Sequence, residues 1–276
     1  MRSPGASHMH SFGGGSHGRR RPVFADVHCH CLPSLDDGPA NVAESLALCR
    51  ALVADGIATV VATPHQLGRY DGRYDAEAIR QAVAELNMLL DEANIPLDVL
   101  PGADVRIDER IVELLDRDRI LTVGDRRRTL LLELPHEVFV DPEPLLAELD
   151  RAGWNAVITH PERHGFLAQH PHVVRRWLAV HPCLQLTAGS LLGGFGGDAR
   201  QAAWAFLAEP LPLLVATDAH DTASRGPCMT AAYHRLAQNA GPAVARILCI
   251  ENPRRLLDGR ELLLLNGEPA KGRVRR

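Results

Sequence analysis

Residues 24–39 read FADVHCHCLPSLDDGP, and the rest of the chain makes most sense as a scaffold for the groups gathered there. The run from Val23 to His28 is short, apolar and β-branched, the composition of a buried strand. Side chains alternate faces along a strand, so Asp26, His28 and His30 share one side. Two imidazoles on one face at a strand's end can point at a common ion. Beyond them Asp36 and Asp37 precede the turn-forming pair Gly38-Pro39, which can bring a carboxylate close to that ion. Fourteen histidines in 276 residues give roughly 0.7 His-x-His pairs by chance. His8/His10 and His170/His172 are further examples. Position relative to the later strands is what sets this pair apart.

Downstream, short apolar runs alternate with amphipathic ones. Strands are expected at 59–63 (TVVAT), 97–105 (LDVLPGADV), 129–134 (TLLLEL), 155–159 (NAVIT), 183–188 and 211–217 (LPLLVAT). Helices are expected at 41–54, 75–93, 108–116, 141–152, 173–180, 198–208, 226–239 and 242–250. Asn41 with Glu44 three residues on is a capping-box pattern, and Gly56 ends that run. Strand and helix units of about 25 to 35 residues imply a parallel sheet with crossover helices outside it. Seven such units predict an α/β fold closed into a barrel, with an open doubly wound sheet as the second choice. No Gly-x-Gly-x-x-Gly follows the first strand, so a dinucleotide site has no support.

Functional groups of parallel α/β folds gather at the carboxyl ends of the strands. Those ends carry His28/His30, His65, Asp104, Glu133, His160 and Asp218/His220; only the sixth, Thr187-Ala188-Gly189-Ser190, lacks an ionisable group. A single His after Pro, such as His65, is usually a plain loop residue. Ligands at six of seven strand ends are another matter. Nitrogen and oxygen donors without thiolate suit zinc, manganese or iron. They are too many for one tetrahedral ion, so a cluster of two or three divalent ions is expected, built to activate water and grip an anion.

His28-x-His30, Asp36-Asp37-Gly38, Thr63-Pro64-His65, Gly102-Ala103-Asp104, Glu133, His160-Pro161-Glu162-Arg163 and Asp218-Ala219-His220 run in the order of the polymerase and histidinol phosphatase (PHP) superfamily. Within it the chain most resembles the bacterial protein-tyrosine phosphatases of capsule and exopolysaccharide loci, the CpsB/CapC type. The resemblance covers roughly residues 23 to 258, and Asn252-Pro253 after Ile250-Glu251 also matches. It implies a distorted (β/α)7 barrel with a trinuclear site, usually described with manganese. Carried over by position, His28, His30, Asp104 and Asp218 would hold one ion. Asp104, Glu133 and His160 would hold a second, and Asp37, His65 and His220 a third. Arg163 and Arg225 match the family's phosphate-gripping arginines. Asp104 departs from the pattern, since the family usually has the longer Glu there.

The chemistry so implied is hydrolysis of protein phosphotyrosine by a metal-bound hydroxide, with the two arginines clamping the non-bridging oxygens. A phenolate leaving group, of pKa about 10, needs little proton assistance. By the same resemblance the partner is the tyrosine-rich tail of a bacterial tyrosine kinase, and members of the family can form homo-oligomers. A histidinol-phosphate or other small-molecule phosphatase would use the same metals. A PHP-type phosphodiesterase or exonuclease fits less well. A metal-holding interaction module without activity is the non-enzymatic alternative.

Composition narrows the field further. A net charge of −4, a pI near 6.4 and 4% aromatics argue against binding to nucleic acid or anionic membranes. No apolar run approaches the ~20 residues of a membrane span, and none follows Arg19-Arg20-Arg21 that could serve as a signal peptide. The six cysteines lack framework spacing, which suits reduced thiols in a cytoplasmic protein. Cys249 to Arg255 fits Cys-x5-Arg, but Pro253 removes an N–H that a phosphate-cradling loop requires. Cys29 and Cys31 alternate with the histidines and should face the core. The expected organisation is a disordered head or tag remnant at 1–21, one metallophosphatase domain at 22–262 and a polar tail at 263–276.

Overall fold

The computed structural model describes residues 23–136 and 138–270; the expected head at 1–21 and the final residues 271–276 lie outside them. Strand β1, Phe24–Cys29, is buried along its whole length. Helix α1, Val42–Ala54, starts at Asn41, whose side chain accepts from Glu44 N at 3.0 Å. The Glu44 carboxylate returns to Ala40 N and to the Asn41 amide, a capping box displaced by one residue. Strand β2, Ile57–Ala62, pairs parallel with β1.

One expected strand is followed by a short extra one, and another is broken in two. After β2, Pro64 precedes a separate two-residue strand β3, His65–Gln66. The stretch at 97–105 divides into β4, Asp98–Pro101, and β5, Asp104–Arg106. β4 stays beside β2, whereas β5 pairs with β3. Gly102 sits at the break because it crosses β2 so closely that a Cβ would lie 2.5 Å from Val61 Cγ1. Pro101 and Pro64 supply no N–H to hold the ladder together there.

The remaining strands are β6 (Thr129–Glu133), β7 (Asn155–Thr159), β8 (Cys183–Thr187) and β9 (Leu213–Ala216). They form parallel sheets ordered β1-β2-β4 and β3-β5-β6-β7-β8-β9. One parallel bridge, Cys29 to Ala219, joins the end of β1 to the residues after β9, with His30 N donating to Ala219 O and Asp218 N to His28 O. Beneath it the buried Asp26 carboxylate accepts from Thr217 N and from the Thr217 hydroxyl. Burial pushes Asp26 up to about 7.

The helices are α2 (Ala76–Glu92), α3 (Ile111–Asp116), α4 (Glu143–Ala152), α5 (Gly165–Gln169), α6 (Ala188–Leu192), α7 (Gly196–Phe206), α8 (Met229–Asn239), α9 (Pro242–Arg246) and α10 (Asn252–Leu257). α2 shows why they pack as they do. Ile79, Val83, Leu86 and Leu90 recur at helical spacing, and all four are buried in the main apolar core. The helix expected at 173–180 is a 3-10 helix, Pro171–Ala179, and the one expected at 242–250 passes at Ile247–Glu251 into a π-turn leading to α10. A second, smaller cluster gathers Val27, Val61, Leu131, Val157 and Leu214, one residue from each of five strands in both sheets. None of the described helices is long and apolar enough to cross a membrane.

The segment after α10 is tied back to the sheet. The buried Asn252 amide donates to Leu213 O at 2.7 Å and Leu263 O at 2.8 Å, and its oxygen accepts from Leu263 N. Leu263 and Pro269 form an antiparallel bridge. Asn252→Leu leaves those backbone groups unpaired in the interior and is expected to cost about 3 kcal/mol. Urea unfolding of the variant beside the parent chain measures it.

Candidate metal centre

The strand ends converge. His28 and His30 leave β1 on one face, as the alternation requires, while Cys29 and Cys31 are buried in the apolar core. The turn after them folds back tightly: a Cβ on Gly38 would lie 2.5 Å from His30 O. His160, following β7, and Asp218, following β9, adopt left-handed backbone angles, φ 34° and 51°. His and Asp tolerate that region better than most residues, at a cost of order 1–3 kcal/mol that the surrounding packing must hold.

Hydrogen bonds behind the centre fix which nitrogen of each imidazole faces it. His28 Nδ1–H donates to Gln185 Oε1 at 2.9 Å, His30 Nδ1–H to Asp36 Oδ2 at 2.5 Å, and His220 Nδ1–H to the Asp218 carbonyl at 2.9 Å. Each Nε2 is thereby left as an inward-facing lone pair. The His28 and His30 Nε2 atoms lie 3.2 Å apart, and both are 3.3 Å from Asp218 Oδ1. Asp104 Oδ2 stands 3.5 to 3.8 Å from the nearest nitrogens of His65, His28 and His160. Asp37 Oδ1 lies 3.4 Å from His65 and 3.6 Å from His220.

All nine expected ligands fall into four overlapping groups: His30, Asp37, His65 and His220; His28, His30 and Asp104; His28, His160 and Asp218; and His65, Asp104 and Glu133. Glu133 thus groups with His65, and His160 with His28 and Asp218, where the resemblance puts both around one ion. These residues fit divalent cations. Lone pairs confront one another, while buried Asp104 Oδ2 and His220 Nε2 have no hydrogen-bond partner. Such atoms are costly in a protein interior unless a cation satisfies them. The donors are imidazole and carboxylate throughout.

The electrostatics follow from crowding. Burial first, and then the Arg163 charge, pushes His160 down to about 3; burial and His30 push His220 down to about 4. Burial and the Asp104 charge raise Glu133 to about 7. Burial would raise Asp218 as well, but His28, His30, Arg163 and His220 hold it well below the carboxylate range. Asp36 resists burial through its pairing with His30 and falls to about 2.

Both expected arginines meet on one oxygen. Arg163 Nη1 donates to Asp218 Oδ2, and Arg225 Nη2 reaches the same atom at 2.7 Å. Two more arginines touch centre carboxylates: Arg69 on Asp37 and Arg106 on Glu133, each at 3.1 Å. His136 stacks on His160 at 5.4 Å, and Tyr70 on His65 at 5.5 Å. Arg69, Tyr70, Arg106, His136 and Gln185 join the centre from outside the expected set. For Arg106 and His136 a signal existed, since each lies two or three residues past an expected ligand.

This constellation has counterparts. The profile of the family "Capsular polysaccharide synthesis, CpsB/CapC" matches residues 24–258. The chain belongs to the CpsB/CapC family. It is 33% identical over 251 residues to the tyrosine-protein phosphatase YwqE of Bacillus subtilis, covering 90% of this chain and 97% of that one. It is 28% identical over 239 residues to the tyrosine-protein phosphatase CpsB of Streptococcus pneumoniae, covering 84% and 97%. A crystal structure from work on YwqE and CpsB, described there as unique metal-dependent tyrosine phosphatases, superposes with a TM-score of 0.82 at 32% identity, over 90% of this chain and all of the other.

In this CpsB/CapC chain the Cys-x5-Arg match is structural coincidence. Cys249 is fully buried within the π-turn, and burial pushes its thiol above the range of a reactive thiolate. Cys249→Ser is therefore expected to retain phosphatase activity within about twofold. Steady-state assay of the variant beside the parent checks this.

Proposed function

We propose that this chain is a metal-dependent phosphatase that removes phosphate from tyrosine in proteins and acts in the control of capsular or exopolysaccharide synthesis. The observation that carries the proposal is the convergence of nine imidazole and carboxylate ligands beside two arginines anchored on one of them. The names of the relatives supply the substrate class. On this reading the partner is a phosphotyrosine-bearing protein, by resemblance the tail of a bacterial tyrosine kinase. Six free cysteines suit a cytoplasmic setting.

The scaffold we infer is a closed, distorted (β/α)7 barrel. Counting β2 with β3 and β4 with β5 as single broken strands gives seven. The Cys29–Ala219 bridge and the small cluster shared by both sheets support closure. Two or three divalent ions, manganese first and zinc or iron next, would be held by His28, His30, Asp37, His65, Asp104, Glu133, His160, Asp218 and His220. When bound, such ions bring the pKa of water from about 15.7 towards about 7 and offset phosphoryl charge.

The chain's own groups do the rest. Asp218 aims the Arg163 and Arg225 guanidinium groups at the position of the phosphoryl oxygens, where their N–H donors stabilise charge that grows in the transition state. Gln185, Asp36 and the Asp218 carbonyl hold His28, His30 and His220 in one tautomer, so no reorganisation is needed at each turnover.

Chelation is expected to abolish turnover of a phosphotyrosyl peptide, with manganese restoring it better than zinc or iron. Histidinol phosphate, tested beside the peptide, is expected to be the poorer substrate. Activity indifferent to a strong chelator and unchanged in His160→Ala would refute the proposal.

A further inference from the structure

A cavity of about 680 Å3 opens beside the centre, lined among others by His136, Glu162, Arg163, Gln169, Phe195 and Asp198. Arg163 is shared by the two. Its Nη1 holds Asp218, while its guanidinium carbon lies 4.5 Å over the Phe195 ring on the cavity side. His136 joins them a second time, stacked on His160 and 3.7 Å from Glu133. At His65, Arg69 and Arg73 flank Tyr70, which stacks on that imidazole, and Arg69 closes onto Asp37. A second cavity, of about 420 Å3, lies on the Tyr70 side, and the Arg163 side offers the larger room for a group leaving phosphorus.

The size decides what that group is. A cavity of about 150 Å3 suffices for a benzene ring, so the space is several times what a phenol needs. It falls instead in the range that buries a drug-sized ligand, about 300–1,000 Å3. Of its charged lining residues only Asp198 is exposed. Asp198, exposed in the first turn of α7, forms no salt bridge with any described residue. At the floor Glu162 Oε2 has no hydrogen-bond partner. Val138 and Phe166, close by in the loop after β6 and in α5, are exposed.

We propose that this cavity binds the polypeptide next to the phosphotyrosine and selects a lysine or arginine there by pairing it with Asp198. The proposal rests on the phosphotyrosine reading and adds what surrounds that residue. The ring lies between His136 and Phe195, and the neighbouring side chain runs along α5 to the start of α7. A small phosphate ester would leave most of the cavity in water.

The test uses manganese-loaded full-length protein, p-nitrophenyl phosphate, and two phosphotyrosyl peptides that differ by lysine against glutamate beside the phosphotyrosine. The lysine peptide is expected to have a KM lower by about fivefold, and Asp198→Arg to reverse the order. Ala168→Trp, which fills the cavity from α5, is expected to raise both peptide KM values about tenfold and to leave p-nitrophenyl phosphate within about twofold. Calorimetric affinities for the matching phosphonate peptides should move in parallel. An unchanged peptide ratio in Asp198→Arg, or equal slowing of all substrates in Ala168→Trp, would overturn the cavity assignment with the phosphatase reading intact. If the parent protein turned over p-nitrophenyl phosphate but neither peptide, both would fall together.

Discussion

Asp218→Ala lowers kcat/KM for a phosphotyrosyl peptide by at least about a thousandfold, close to 4 kcal/mol of transition-state stabilisation. No other side chain of the centre serves so many partners. Its Oδ1 lies 3.3 Å from two imidazole nitrogens, and its Oδ2 takes both arginines. On the proposed reading the substitution removes a metal ligand and frees both arginines from their shared anchor at once. Losing one preorganised charge donor alone costs about 10²–10³ in rate. Losses within one unit do not simply add, so the sum is a ceiling rather than a forecast.

The Asn variant separates charge from shape. The surrounding imidazoles and Arg163 outweigh burial and hold the Asp218 carboxyl well below its usual range, so the neighbours favour its ionised form. Asp218→Asn keeps the volume and loses the charge, and it should fall nearly as far as Ala. Metal content per chain, measured by atomic emission, should drop in both variants while the thermal melt stays cooperative. Full metal content with less than tenfold loss of activity would show that Asp218 is neither ligand nor anchor.

The sequence exposed most of this centre because of how strands work. The candidate ligands sit at the ends of short apolar runs, so His65, Asp104, Glu133, His160 and Asp218 stand out as polar groups after β-branched or leucine-rich segments. The two residues around each break were harder. Gly102 reads as an ordinary strand glycine, and only its approach to Val61 shows that the chain must step sideways there. Nine residues such as Pro171–Ala179 fit a three-residue period as well as a 3.6-residue one, so the sequence predicts a helix there without distinguishing 3-10 from α.

Partners from distant strands carried no local signal. Gln185 lies 157 residues from the histidine it orients. Asp36 and Asp37 are adjacent and chemically equal, and only the turn decides that Asp36 backs His30 while Asp37 faces His65 and His220. Phe195, the platform under Arg163, sits in a Gly-rich loop that reads as mere linkage.

Arg163→Ala is expected to lower kcat about 100-fold or more while KM moves by less than about threefold. The reason lies in what holds the guanidinium. It is largely buried, bonded to Asp218 and stacked on Phe195, so its direction is fixed before substrate arrives. A donor fixed in advance acts most strongly where charge accumulates, on the phosphoryl oxygens of the transition state, and only weakly on the ground state. An arginine that merely paired with a surface acid would change rates by less than about a factor of three. Arg163→Lys discriminates further. It keeps the positive charge but loses the planar fork and the stacking on Phe195, so it should recover only part of the loss. Phe195→Leu, which leaves the charge in place and removes its platform, should fall between the parent and Arg163→Lys. Initial rates over a range of phosphotyrosyl peptide concentrations give kcat and KM for all three. If the loss in Arg163→Ala appeared in KM alone, the residue would be a ground-state binder and the transition-state role assigned to it would be wrong.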